Sequence, residues 1–219
     1  MYLKQYLAVF VFLCIAFSAF CQKNINDEAN IPDEYLVMIN SLDSLAVHDN
    51  EACIKLLNKL LATPAVPEYE KERLRFMLGA SLKNRVGHLA TDFTYTLKDG
   101  SRGTLRALKS EFVLLFFNDP MCEDCMKVKG DIAISQVIND MLDRGRLKVL
   151  SVCVEGDNDE WRMQKLPDSW IDSCDEALRI TDREIYDLPT MPVLYLLDRN
   201  QKVLLRNATL EKVEKYLNQ

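Results

Sequence analysis

The spacing of apolar residues divides the chain into two regions of different periodicity. In residues 32–86 apolar positions recur every three or four residues, which predicts three helices that begin near Pro32, Asp49 and Pro67. In residues 87–219 short apolar runs alternate with helical stretches, as they do in α/β domains. The pattern therefore predicts a small N-terminal helical unit followed by an α/β domain.

The α/β region begins with an alternating run, Phe93–Leu97, followed by the turn signal Lys98-Asp99-Gly100-Ser101, which predicts a β-hairpin. The predicted elements after it are a central strand, a long helix kinked at Gly130, a second strand, a third strand with a return strand, and a last helix: 112–117, 122–142, 147–154, 193–197, 203–205 and 210–217. A strand, helix and strand of these lengths predict a parallel pair with a right-handed crossover.

Residues 1–21 differ in composition from the rest of the chain. Lys4 precedes a run of apolar and small residues that ends at Cys21. This run is shorter than the about 20 apolar residues that span a bilayer comfortably, and it has the form of a secretory signal peptide, with residues 22–31 as a polar linker after it. Two alternatives stay open: a lipid anchor on Cys21 and an uncleaved N-terminal anchor. Each one predicts a protein that acts outside the cytoplasm, in the periplasm or as a secreted protein.

The charge balance excludes one class of partner. The chain has 27 Lys and Arg against 33 Asp and Glu, a formal net charge of −6. An acidic chain lacks the basic surface that nucleic acids require, so no nucleic-acid partner is predicted. Contact with a membrane is predicted only through a lipid on Cys21.

The strongest chemical signal follows the central strand, where Asn118-Asp119-Pro120 interrupts the apolar run and Cys122 and Cys125 form a C-x-x-C pair. At a helix N-terminus the free N–H groups and the helix dipole favour a thiolate, which is the reactive form of cysteine. A zinc site needs four ligands, whereas the other cysteines are scattered and only two histidines are present. Redox chemistry is the favoured interpretation, and a purely structural disulfide stays open.

Three segments in order carry a family resemblance: the hairpin lead-in DFTYTLKDG, the pair MCEDC and the segment YDLPTMPVLYLLDRNQKVL. Residues 87–219 resemble the thioredoxin-like superfamily, in its secreted bacterial branch of thiol-disulfide oxidoreductases and peroxiredoxin-type domains. The resemblance implies a central mixed sheet flanked by helices. It implies that Cys122 attacks, that Cys125 resolves, and that Pro192 is a cis-proline whose preceding residue, Met191, offers its carbonyl to a substrate peptide.

The same resemblance implies exchange with protein disulfide substrates and a membrane-bound thiol as electron donor. This exchange reaction needs only sulfur chemistry, so no cofactor and no metal are predicted. Met121 stands where the family has tryptophan and predicts an apolar substrate surface. Phe116 replaces the buried acid of thioredoxins. Glu123 and Asp124 place two carboxylates beside Cys122, which opposes its ionisation and favours a reductase or isomerase over a strong oxidant.

Two rival functions remain. A thiol peroxidase is an alternative, although Asp119 stands where peroxiredoxins usually place threonine. The other alternative is a binding module with a structural disulfide at Cys122 and Cys125. Outside the pair, Cys53 and Cys153 are predicted to be buried, Cys174 to lie in an irregular segment, and a Cys53–Cys174 bridge is conceivable. Two tryptophans are predicted to line a groove or to form a satellite core: Trp161 and Trp170.

Overall fold

The computed structural model of the chain describes residues 31–42, 44–45, 50–182, 185–188 and 190–219. The predicted signal peptide, Cys21, most of the linker and Asp49 lie outside the described residues. The chain forms two compact units, and it passes from one to the other between Leu78 and Gly79. The domain boundary placed at Gly87 stays a prediction.

Three helices lie where the apolar spacing predicts them: α1 (Asp33–Asn40), α2 (Asn50–Leu61) and α3 (Glu68–Leu82). Apolar residues at helical spacing form the interior of the first unit. Four leucines of this unit are fully buried: Leu42, Leu57, Leu60 and Leu74. Within the described part of the chain, no helix combines the length and the apolar character needed to cross a membrane.

The second unit contains a seven-stranded mixed sheet in the order β2-β1-β5-β4-β3-β6-β7. The strands are β1 (Thr94–Leu97), β2 (Arg102–Thr104), β3 (Phe112–Asn118), β4 (Leu147–Cys153), β5 (Ile171–Cys174), β6 (Val193–Asp198) and β7 (Val203–Leu205). The helices are α4 (Glu123–Ile134), α5 (Gln136–Asp143), α6 (Asp159–Met163), α7 (Arg179–Asp182) and α8 (Leu210–Leu217). Strands β3, β4 and β5 are parallel, and β1, β2, β6 and β7 join them in antiparallel pairs.

The central strand β3 supports a core on each face of the sheet. Its side chains point alternately to the two faces, as strand geometry requires. Val113, Leu115 and Phe117 pack with the hairpin and with the aromatic residues of β6 and its lead-in. Leu114 and Phe116 pack with α4, α5 and α8. Burial on both faces explains why this strand is a continuous apolar run in the sequence.

The β1–β2 hairpin forms as predicted, and two glycines shape it. Gly100 has a φ of +80°, which the turn requires and which a residue with a side chain rarely adopts. Gly103 lies opposite Tyr95 in the hairpin register. A Cβ atom at Gly103 would come within 2.5 Å of the Tyr95 ring. The missing side chain therefore lets the ring lie across the neighbouring strand.

The predicted helix 122–142 is two helices, and Gly130, where a kink was predicted, lies inside the first of them. The break falls at Ser135, whose extended backbone ends α4 and whose hydroxyl accepts a hydrogen bond from Ile138 N. The same hydroxyl donates to Glu214 Oε1 at 2.6 Å. Serine is a favoured N-cap, and these two bonds fix the break at that residue.

The segment around Cys174, predicted to be irregular, contains strand β5. This strand pairs with β4 in parallel and with β1 in antiparallel orientation. Both tryptophans belong to the interior. Trp170 packs edge-on against Phe116 with ring centroids 6.4 Å apart, and Trp161 lies in a small cluster with Cys153 and Cys174.

Candidate active site

The turn after β3 delivers the cysteine pair. Asn118 ends the strand fully buried, and its side-chain amide donates to Ser151 Oγ at 2.9 Å. The next residue, Asp119, arranges the turn with two acceptors. Its carboxylate accepts from Met121 N at 2.8 Å, and its carbonyl oxygen accepts from Cys122 N at 3.1 Å. These two hydrogen bonds therefore fix the turn between β3 and α4.

Cys122 is the N-cap residue of α4. Its backbone is extended, and its sulfur accepts a hydrogen bond from Cys125 N at 3.2 Å. The sulfur therefore takes the place that a serine or aspartate oxygen occupies in most caps. A thiolate at this atom would face a backbone N–H group and the positive end of the helix dipole, both of which favour negative charge.

The two cysteines differ in exposure. Cys122 is half-buried, whereas Cys125 is 2 % exposed and lies on the inner side of the first helical turn. Burial raises the pKa of the Cys125 thiol to about 12; the charges of Cys122 and Asp119 act in the same direction, and a backbone hydrogen bond from Asp119 opposes them. The geometry thus gives one accessible sulfur and one sheltered sulfur, in the order that the sequence resemblance implies.

The raised pKa of Cys125 leads to a measurable pH dependence. In a Cys122→Ser variant, alkylation of Cys125 by iodoacetamide is expected to be slow at pH 7. It should accelerate about tenfold per pH unit up to at least pH 10, because only the thiolate reacts and its fraction keeps rising below the pKa. Quenched samples analysed by mass spectrometry give the rates.

The matched control for this titration is Cys122 in a Cys125→Ser variant, which should react faster at pH 7 because its sulfur is accessible. A plateau in the Cys125 rate near pH 9 would mean that the thiol titrates like a free cysteine and would contradict the burial argument.

The segment before β6 faces the pair. The Met191–Pro192 peptide bond is cis. The carbonyl oxygen of Met191 lies 3.8 Å from Cys122 Sγ, within reach of a weak S–H donor. The structure therefore brings Cys122 and Met191 together although they are far apart in the sequence. The substrate-binding roles of Met191 and Pro192 stay predictions.

Sequence reasoning did not identify the residues that hold this segment. Arg206, on the stretch after β7, pairs with the Asp187 carboxylate and donates to Ser81 O at 2.8 Å; only 3 % of its side chain is exposed. Asn84 donates to Ile185 O at 2.8 Å, a contact between residues far apart in the chain. Single charged or amide residues carry no periodic signal, so no pattern in the sequence marks them.

The remaining predicted site residues are sequence neighbours of the pair and are exposed to solvent. Met121 is 72 % exposed, and Glu123 and Asp124 lie exposed in the first turn of α4. Among the residues that the structure describes, no group of three or more His, Cys, Asp or Glu side chains is placed to hold a metal ion.

Comparison with solved structures gives clear relatives. The chain is similar to a thioredoxin-like protein from Bacteroides caccae, with 32 % identity and a TM-score of 0.78 over 88 % of this chain and 73 % of that one. It is also similar to the C-terminal domain of an uncharacterized protein from Bacteroides fragilis, with 42 % identity and a TM-score of 0.60 over 62 % of this chain and 99 % of that domain. No family model matches the chain, and no curated protein matches it.

A domain of a possible thiol-disulfide isomerase from Cytophaga hutchinsonii matches with 21 % identity and a TM-score of 0.52, which is a likeness of fold. It covers 63 % of this chain and 93 % of that domain. A mixed sheet whose central strand leads into a C-x-x-C pair at a helix N-terminus defines the class of protein to which this chain belongs. The chain belongs to the thioredoxin-like superfamily. Its place in the peroxiredoxin-type branch stays a prediction.

Proposed function

We propose that the protein is an extracytoplasmic thiol-disulfide oxidoreductase that reduces or rearranges disulfides of client proteins through Cys122 and Cys125. One observation carries the proposal: Cys122 Sγ caps α4, accepts the Cys125 N–H at 3.2 Å and lies 3.8 Å from the Met191 carbonyl oxygen. An accessible sulfur, a sheltered sulfur and a backbone acceptor are thus assembled at one place. The fold shared with the domain of a possible thiol-disulfide isomerase and the signal-like residues 1–21 support the same proposal.

The proposed reaction is thiol-disulfide exchange in two steps. The Cys122 thiolate attacks one sulfur of a client disulfide, forms a mixed disulfide and releases the first client thiolate. Cys125 then loses its proton and attacks Cys122 Sγ, which releases the second client thiolate. The client gains two electrons and takes up two protons, and the protein is left with a Cys122–Cys125 disulfide. A thiol donor, proposed to be membrane-bound, returns the pair to the dithiol.

The charges beside Cys122 support one direction of electron flow. Glu123 and Asp124 are exposed carboxylates one and two residues from the attacking sulfur. Their negative charge repels a thiolate and thereby destabilises the reduced pair, which makes the pair more reducing. We therefore propose a reductase or isomerase rather than a strong oxidant.

The reduction potential of the pair tests this proposal. Equilibration with defined dithiothreitol or glutathione buffers, followed by alkylation, is expected to give a value at or below about −220 mV, in the range of glutaredoxins and thioredoxin. Neutralising both carboxylates with Glu123→Gln and Asp124→Asn should shift the potential upwards. Asp131→Asn, an exposed charge farther along α4, is the matched control and should leave it unchanged.

A potential near about −120 mV would indicate a strong oxidant and contradict the proposal, whereas a value near about −180 mV would favour an isomerase over a reductase. A pair that does not exchange with either buffer would indicate a structural disulfide and a binding module. If the variant with Glu123→Gln and Asp124→Asn keeps the original potential, the two carboxylates do not set the reduction potential of the pair.

A further inference from the structure

Two cysteines outside the C-x-x-C pair are brought together by the sheet. Cys153 is the last residue of β4 and Cys174 is the last residue of β5. The two are direct partners in the parallel register of these strands, and both are free thiols. The bridge between Cys53 and Cys174 stays a prediction.

The register places the two Cα atoms within the range that a disulfide can join. Neighbouring strands lie about 4.8 Å apart, and disulfides join Cα atoms about 4.4 to 6.8 Å apart. Paired residues of parallel strands also direct their side chains to the same face of the sheet. Cys153 and Cys174 are 1 % and 0 % exposed, and together with Trp161 they form a separate buried cluster.

We propose that Cys153 and Cys174 are a second redox pair of this protein, which closes to a buried disulfide by exchange with a low-molecular-weight disulfide. One thiolate attacks the small disulfide and releases one small thiol. The second thiolate attacks the mixed disulfide and releases the other small thiol. One S–S bond forms within the protein, one breaks in the reagent, and two electrons and two protons pass to the two small thiols.

The short helix α6 covers Cys153 and Cys174 and is held in place by polar contacts. Trp161 on α6 packs on both cysteines, and its indole N–H donates to Asp172 Oδ1 at 2.8 Å. Asp172 also pairs with Lys98 at 2.7 Å. Reagent can reach the sulfurs only when this segment opens locally, which makes closure of the disulfide slow in the folded chain.

The chemistry of the thiols agrees with slow closure. Burial raises the pKa of the Cys153 thiol to about 11 and the pKa of the Cys174 thiol to about 12, so few thiolates are present at neutral pH. Exchange should therefore speed up as the pH rises towards these values. The proposed turnover at Cys122 and Cys125 requires neither of these sulfurs, so the second pair acts independently of it.

The test uses the full chain with Cys122→Ser and Cys125→Ser, so that the outcome does not depend on the proposed function. One sample is incubated folded with oxidised glutathione, and a second is refolded from denaturant in a glutathione redox buffer, where access is not limiting. After alkylation and non-reducing digestion, mass spectrometry is expected to find the Cys153 and Cys174 peptides joined, two hydrogens lighter than their sum. Cys53→Ser, the matched buried cysteine, should leave this species unchanged.

A second readout is the emission of Trp161 in the same chain with Trp170→Phe. Closure of the disulfide beside the indole should quench the emission, and dithiothreitol should restore it. Cys174→Ala should abolish the redox-dependent change. Individually alkylated Cys153 and Cys174 in both samples would overturn the proposal, as would a linked peptide that contains Cys53.

Discussion

Replacing Cys125 with alanine is expected to leave the protein covalently joined to its client. The first exchange step needs only the half-buried Cys122 sulfur, whereas release of the client needs a second thiol beside it. Without Cys125 the protein has no second thiol beside Cys122 that could attack the mixed disulfide and release the client. Incubation with a disulfide-bonded test protein such as insulin, acid quenching and non-reducing electrophoresis should show the adduct as a major species, against almost none for the wild-type chain.

Two variants control this experiment. Cys122→Ala should form no adduct, because the sheltered Cys125 has a pKa raised to about 12 and little thiolate to attack with. Cys153→Ala removes another buried thiol and should behave like the wild-type chain. Two results would contradict the assignment of the attacking and resolving sulfurs. One is a client bonded to Cys153 or Cys174, and the other is a Cys125→Ala variant that forms no adduct.

Phe117→Ala is expected to lower the free energy of unfolding by about 3–5 kcal/mol, the usual range for removing a buried aromatic ring. Phe117 is fully buried on β3. Its ring centroid lies 4.9 Å from that of Tyr186, 6.0 Å from that of Phe93 and 6.1 Å from that of Tyr195. Truncation would leave a cavity between three aromatic rings that cannot all move inward. Chemical denaturation of the full chain gives the difference.

The matched control is Ile134→Ala at the end of α4, where the side chain is 81 % exposed. Its effect should stay within about 0.5 kcal/mol, because it removes little buried surface. A loss below about 1 kcal/mol for Phe117→Ala would show that the aromatic cluster collapses without cost or that the rings are loosely packed.

Strongly apolar or strongly periodic elements are the ones that the sequence predicts well. Strand β3 is buried on both faces and therefore forms a continuous apolar run. The last helix begins after Thr209, whose hydroxyl accepts from Lys212 N, as a capping residue should. The hairpin follows from its turn residues. In each case the signal is local, so a short window of sequence contains the whole reason for the structure.

Strand β5 was missed because its stability comes from distant partners. Its sequence is Ile-Asp-Ser-Cys, which has neither an apolar run nor clear strand alternation. Ser173 is nevertheless fully buried, because its hydroxyl donates to Ser151 O at 2.8 Å, and Asp172 is held by Trp161 and Lys98. These partners lie far away in the chain, so no local pattern shows that a polar segment fits inside a sheet.

The candidate site also combines features that local sequence determines with features that depend on distant residues. The spacing of Cys122 and Cys125 is local, and their place at a helix start follows from the strand and turn before them. The position of Met191 depends on strand β6 returning beside β3, and the segment that carries it is fixed by Arg206 and Asp187. Of these contacts, only the approach of Met191 was expected from the sequence, and it came from family resemblance rather than from residue chemistry.

The antiparallel pairing of β6 with β3 also has a consequence for synthesis of the chain. Strand β6 covers β3 along Phe112–Phe117 but is made long after it. A nascent or truncated chain that ends before Val193 would expose an unpaired, wholly apolar edge on β3, which is a template for aggregation. Such a chain would still contain Met191, but it would lack the strand that follows this residue and pairs with β3. One late strand therefore covers this apolar edge and follows directly on the segment that faces Cys122.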